Sequence, residues 1–181
     1  SLEAAHPRWQ AAGLRGGRGE TRPVEKRILV GVLPTYLNAR EVFCMHQVIT
    51  FLGKRPIKTQ YRWRNNVYEG EVFAQALCQF LDFDRMLVLT TDEARNSTWP
   101  VLERLHDPRI ECVPIEIGDS PVQLWGLFDA VIQLIQEDDA VTFDITHGLR
   151  SIPFMAFLFA AYLKTAKRVS IRAILYGALE L

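Results

Sequence analysis

From residue 46 onward the apolar positions follow two alternating rhythms. His46-Gln47-Val48-Ile49-Thr50-Phe51-Leu52-Gly53 is a short, largely apolar run closed by glycine, which predicts a strand opening an α/β unit. Residues 54–68 are polar and basic, a loop or a hairpin. Over residues 69–81, Val72, Phe73, Ala76, Leu77 and Phe80 recur at helical spacing. Residues 85–90 predict a second strand, 92–106 a second helix and 110–117 a strand of mixed pattern. Asp119 or Ser120 can cap the next helix, with Pro121 in its first turn. The apolar face of that helix is Leu124, Leu127, Phe128, Val131, Ile132 and Ile135, and it runs to about Glu137. A strand at 140–143, an apolar helix at 154–163 and a strand at 168–175 complete the pattern. Residues 27–34 suit a further short strand that the pattern does not place.

Strands alternating with helices of this length give an α/β fold that is Rossmann-like: a mainly parallel sheet with helices on both faces and right-handed crossovers. Gly53, Thr90 and Thr146 then fall at carboxyl ends of strands, along the edge where a doubly wound sheet forms its ligand crevice. Residues 1–24 are rich in Gly, Ala, Arg and Pro without periodicity, and Met45 looks like a fresh start. We therefore expect residues 1–44 to be an N-terminal extension, partly disordered or appended, and residues 45–181 to form one ligand-binding domain.

Composition adjusts this picture only locally. In 181 residues, 49% are apolar, enough for one sizeable core, and the net charge is zero. Residues 1–44 carry seven Lys and Arg against four Asp and Glu, and residues 45–181 fourteen against seventeen. A slightly acidic body that takes an anion must do so with a local basic patch. Cys44, Cys78 and Cys112 are far apart in sequence and form no C-x-x-C or Cys/His cluster, so no zinc site or disulfide framework is indicated. No signal peptide is visible, and the longest apolar run, 152–163, is short of the roughly 20 residues a bilayer needs. The expectation is a reduced, cytoplasmic chain without a membrane segment, metal or cofactor.

The candidate chemistry is concentrated in Asp144-Ile-Thr-His-Gly-Leu-Arg-Ser-Ile-Pro153, a polar turn between an apolar strand and an apolar helix. Thr146, His147, Arg150 and Ser151 suit an anion, above all a phosphate, beside free N–H groups at a helix start. Arg150 can pair with a phosphate or with a carboxylate such as Asp144. His147 reads as a general base or ligand hydrogen-bond donor, or as a capping or core histidine. Thr146 can donate to a phosphate or cap the helix, Gly148 serves the backbone, and Asp144 orients the turn. Thr91 or Asp92 caps the helix after the second strand, leaving Thr90 to face the crevice. A second wall is offered by Lys54, Arg55, Lys58, Arg62 and Arg64, interleaved with Tyr61, Trp63 and Tyr68, a pattern suited to phosphates and bases or to a solvated loop whose rings pack on the core. G-x-G-x-x-G, the P-loop and G-x-S-x-G are all absent, which argues against a dinucleotide enzyme, an NTPase and a serine hydrolase.

The 144–153 stretch resembles the signature of CARF domains, the CRISPR-associated Rossmann-fold sensors of type III systems. The likeness extends over about residues 45–180. It includes Val48-Ile-Thr-Phe-Leu-Gly53, the segment from Tyr61 to Leu77, Val88-Leu-Thr-Thr-Asp-Glu-Ala94 with Trp99, and Ile174-Leu-Tyr-Gly-Ala178. The resemblance implies cyclic oligoadenylate as ligand, cyclic tetra-adenylate foremost, bound across the two-fold axis of a homodimer. By position it implies Gly53, Lys54, Arg55, Thr90, Thr91, Thr146, His147, Gly148 and Arg150 as ligand-binding residues. Lys54-Arg55-Pro56 departs from the Gly- or Asn-containing segment that many relatives place there. The apolar 154–163 helix has no polar face, which fits either a dimer contact or a central core helix.

Two functions follow from the resemblance. One is a sensor module regulating a fused or partner effector; no R-x-x-x-x-H ribonuclease pattern follows within this chain. The other is a metal-independent ring nuclease, in which a ribose 2′-hydroxyl attacks its phosphate with Arg150 and Lys54 stabilising charge and His147 moving the proton. A third reading, outside CRISPR biology, is an ordinary Rossmann-like nucleotide-binding subunit.

Overall fold

The two rhythms resolve into strands and helices in the expected alternation, with one insertion. The computed structural model describes residues 27–34, 45–116, 120–147 and 152–180. In chain order the elements are β1 (Arg27–Pro34), β2 (His46–Phe51), β3 (Thr59–Trp63), β4 (Asn66–Gly70), α1 (Phe73–Phe80), β5 (Arg85–Thr90), α2 (Asp92–Ser97), α3 (Trp99–Glu103), β6 (Ile110–Pro114), α4 (Pro121–Leu134), β7 (Ala140–Asp144), α5 (Ile152–Ala166) and β8 (Ser170–Glu180).

The strands form one sheet in the order β4-β3-β1-β8-β7-β2-β5-β6. Within it β8, β7, β2, β5 and β6 are parallel neighbours, each reached from the last through a crossover that includes helix. The chain moves outward from β2 through β5 to β6, then returns across β2 to β7 and β8. That is the doubly wound, Rossmann-like order, and its direction reverses between β2 and β7.

Residues 27–34 do join the sheet. β1 runs antiparallel to β8, from Arg27 opposite Glu180 to Pro34 opposite Ala173, and parallel to β3 on its other side. The sheet thus extends past residue 45, and the remainder of the expected extension lies outside the described residues. Residues 54–68 contain the hairpin β3–β4, so the helix expected from 69 starts only at Phe73. There the Gln75 side chain reaches back and accepts from the Glu71 and Val72 backbone N–H groups, at 2.8 and 3.3 Å. The helix expected over 92–106 is broken at Thr98, where Pro100 fits only the first turn of a new helix. Ser120 caps α4 by accepting from the Gln123 N–H.

Strand periodicity assigns each side chain to one of two cores. Ile49, Phe51, Leu87, Leu89, Val141 and Phe143 face α4 and α5, meeting Leu127, Val131, Ile135, Met155, Phe159 and Leu163. Val48, Leu52, Met86 and Val88 face the opposite way, onto Phe73, Ala76, Leu77, Ala94, Val101 and Leu102 of α1–α3. On the α4–α5 side an aromatic ladder climbs outward from Phe143 to Phe159, then to Phe128, and ends at Trp125 and Tyr162. α5 is therefore not a central helix covered on all sides: Phe157, Leu158 and Tyr162 stay exposed. No helix among the described residues is long and apolar enough to cross a membrane.

Candidate ligand-binding site at the strand switch

At the point where the winding reverses, Asp144 ends β7 beside Thr50 of β2. Its carboxyl is fully buried and accepts three hydrogen bonds, from Thr50 Oγ1 at 2.6 Å, Thr146 Oγ1 at 2.6 Å and the Thr146 backbone N–H at 3.0 Å. Burial pushes the Asp144 pKa above the ordinary carboxylate value, opposed by these donors and by His147. Thr146 Oγ1 in turn accepts from the Gly177 N–H at 2.9 Å. One buried carboxylate thereby ties the ends of β2 and β7 to the body of β8 at Gly177, and Asp144 orients the turn as its position in the sequence suggests.

These ends wall a cavity of about 400 Å³ whose other sides are the loop after β2 and the β3–β4 hairpin. It is lined by Gly53, Arg55, Thr146 and His147 from the expected set, and also by Ile57, Thr59, Tyr61, Glu71, Val72 and the β8 residues Tyr176, Gly177 and Ala178. The His147 ring lies over Gly53: a β-carbon placed there would meet the ring at 3.6 Å, an ordinary contact. The residue is exposed, yet the protein atoms around its ring displace enough water to lower its pKa below the usual histidine value, against the pull of the Asp144 charge, so the neutral imidazole is favoured. Arg55 is exposed at the cavity and makes no ion pair among the described residues.

Other expected ligand residues are placed differently. The Thr90 side chain is fully buried between β5 and β6, its hydroxyl 3.4 Å from the Val113 carbonyl and 3.1 Å from Cys112 Sγ, so it does not face the crevice. Its position at a strand end misled because the side chain points into the sheet interior. Thr91 caps α2 by accepting from the Ala94 N–H at 3.3 Å. It lines a separate cavity of about 410 Å³ with Asp92, Glu93, Pro114, Ile115, Glu116 and Gln123, whose three carboxylates repel an anion. Lys54 does not line the first cavity. Its Nζ pairs with Glu93 Oε2 at 2.7 Å. Gly148 and Arg150 lie outside the described residues.

The basic hairpin is also only partly available. Tyr61 is buried, with its ring 5.2 Å from Phe73, and Trp63 packs 5.9 Å from Phe80. These two rings hold the hairpin onto α1 instead of standing free to stack on bases. Burial, reinforced by the Asp144 charge, pushes the Tyr61 hydroxyl up to about 12. Lys58 pairs with Glu69, and Arg64 lies over the Trp63 ring. The free aromatic surface is Tyr176, 55% exposed at the cavity. Its segment 174–178 was not among the expected site residues, and only strand pairing shows that its residues complete the cavity wall. Among the described residues no cluster of His, Cys, Asp and Glu could hold a metal, and Cys78 and Cys112 are free thiols.

The architecture is that of a Rossmann-like α/β protein with a mixed, largely apolar cavity at its switch point, the usual location of a ligand in such sheets. No family model matches the chain. It is 33% identical over 73 residues to a CRISPR-associated protein of Methanocaldococcus jannaschii, a match covering 39% of this chain and 12% of that relative.

Proposed function

We propose that this cavity binds cyclic oligoadenylate, cyclic tetra-adenylate in the first place, and that the chain acts as a sensor module in type III CRISPR antiviral signalling, regulating a fused or partner effector. The observation that carries the reading is the convergence of Gly53, Arg55, Thr146 and His147 on one switch-point cavity, with Tyr176 beside them. Arg55 supplies a cation for phosphate and Tyr176 a stacking face. The partial likeness to a protein named CRISPR-associated supports a CRISPR-related role.

Size argues for a site made of two copies. About 400 Å³ is at the low end for a small-molecule pocket and far below what a ring of four nucleotides fills. A two-fold dimer presenting two such cavities side by side suits a ligand with even symmetry. The outward face of α4 and α5 offers the contact surface, with Val122 80%, Trp125 60% and Phe157 54% exposed.

The ring-nuclease reading has one observation in its favour, the neutral His147 imidazole in the cavity wall, able to take a proton from a ribose hydroxyl. Incubating the chain with cyclic tri-, tetra- and hexa-adenylate in EDTA, with chromatography of bound and free fractions, separates the outcomes. Retention of intact ring supports the sensor, and linear or 2′,3′-cyclic phosphate products would replace it with the nuclease. No retention of any ring would leave the ordinary nucleotide-binding subunit.

A further inference from the structure

Lys54 stands between two residues that line the cavity, Gly53 and Arg55, yet its own ammonium is turned away. It is held by Glu93 in the first turn of α2, at 2.7 Å, with the two side chains 52% and 59% exposed. The backbone at the same residue meets α2 as well, since the Lys54 carbonyl lies 2.8 Å from Ser97 Oγ, a hydroxyl whose single proton it shares with the Glu93 carbonyl at 2.7 Å. Further along, the Ile57 N–H donates to the Glu71 carbonyl at 2.9 Å. The main chain of the loop is thus anchored at two points while the lysine side chain is free to choose its partner.

We infer that Glu93 sets the ligand affinity and charge threshold of the cavity by competing with the bound anion for Lys54. The inference rests on the anionic-ligand reading above. In the free protein the pair neutralises Lys54 and leaves Arg55 as the free cation at the cavity among the described residues. A ligand carrying a single phosphate is met by Arg55. A ligand with several phosphates brings a second anion near the mouth, where it competes with the Glu93 carboxylate. An exposed ion pair is weak enough to be exchanged in this way, since its two charges remain hydrated and screened. Arg55 has no comparable rival among the described residues: Glu71 also lines the cavity, but its carboxylate reaches toward Arg104, at 3.7 Å. Glu93 is therefore a specificity-determining residue that never touches the ligand.

The test is a binding cycle at low ionic strength with cyclic tetra-adenylate as probe, comparing wild type, Glu93→Gln, Lys54→Ala and the double variant. Glu93→Gln is expected to tighten binding about two- to fivefold, the range an exposed ion pair is worth. Lys54→Ala is expected to weaken it, and in that background Glu93→Gln is expected to have no effect. A merely structural role for Glu93 at the start of α2 would lower the melting temperature and would not tighten binding. If wild type binds but Glu93→Gln leaves affinity unchanged or reduced, or if the gain survives in Lys54→Ala, the role of Glu93 is overturned and the ligand reading stands. If wild type does not bind the probe, both are overturned.

Discussion

Thr146 builds the site before it can serve a ligand. Its hydroxyl proton is committed to Asp144, and its lone pair takes the Gly177 N–H. Thr146→Val keeps the shape but leaves Gly177 without this acceptor and removes one donor from a buried carboxylate. The expected loss is about 1–3 kcal/mol of stability, read as a lower urea midpoint, with Thr146→Ser close to wild type. Arg55 is the opposite case, exposed and unpaired among the described residues, so Arg55→Ala should leave the midpoint unchanged. It should cost more than tenfold in affinity for cyclic tetra-adenylate, since a charge-assisted phosphate contact is worth roughly 1.5–3 kcal/mol. The same measurement applies to Arg150→Ala, with the same expected loss, because Arg150 is assigned the second phosphate contact by its place in the 144–153 turn.

The elements are held at the far edge of the sheet by a second polar tie. His46 opens β2, and its Nδ1–H donates to the Asp82 carbonyl at 2.6 Å while Nε2 lies 2.9 Å from Thr142 Oγ1 on β7. Burial lowers the His46 pKa, with Arg172 acting in the same direction and the Asp82 carbonyl bond, Asp84 and Asp82 opposing. The unfolded chain then takes up a proton that the folded chain resists. The stabilisation from this group is complete above about pH 6.5 and is lost as pH falls through the depressed folded value. Urea midpoints should drop between pH 7.5 and 5.5, and less steeply in His46→Gln. Element order was legible in the sequence because strand and helix periods differ so clearly. β5 and the Ser120 cap stand where the pattern put them. The hairpin was not resolved, because Tyr61 and Trp63 carry the same alternation whether they face a ligand or α1. Thr90 was misplaced, and the Glu93 partner of Lys54 was not foreseen, for a related reason: position at a strand end does not fix which partner a side chain meets.

For the whole molecule, the two faces of the sheet are unequal. The α1–α3 face is polar on its outside, whereas α4 and α5 present Val122, Trp125, Phe157, Leu158 and Tyr162 to solvent. A monomer leaves that patch exposed, and a two-fold copy seated on it would cover it. The expected solution state is a dimer by sedimentation, with the double variant Trp125→Glu, Tyr162→Glu shifting to monomer and losing ligand affinity. An unliganded and liganded wild type that both sediment as monomer would contradict the dimeric site. The mainly parallel sheet was legible from alternation, whereas its strand order and switch point were not, and neither was the place of β1, since a strand with no helical crossover gives no cue to its neighbours.

If Arg55, the ends of β2 and β7 and the Tyr176–Ala178 stretch of β8 form half of a cyclic oligoadenylate site, a calorimetric titration of cyclic tetra-adenylate into the protein will register it. The expected result is saturable binding of one ring per two chains, weakened more than tenfold by Arg55→Ala. Absence of binding, or binding that Arg55→Ala leaves untouched, would contradict it.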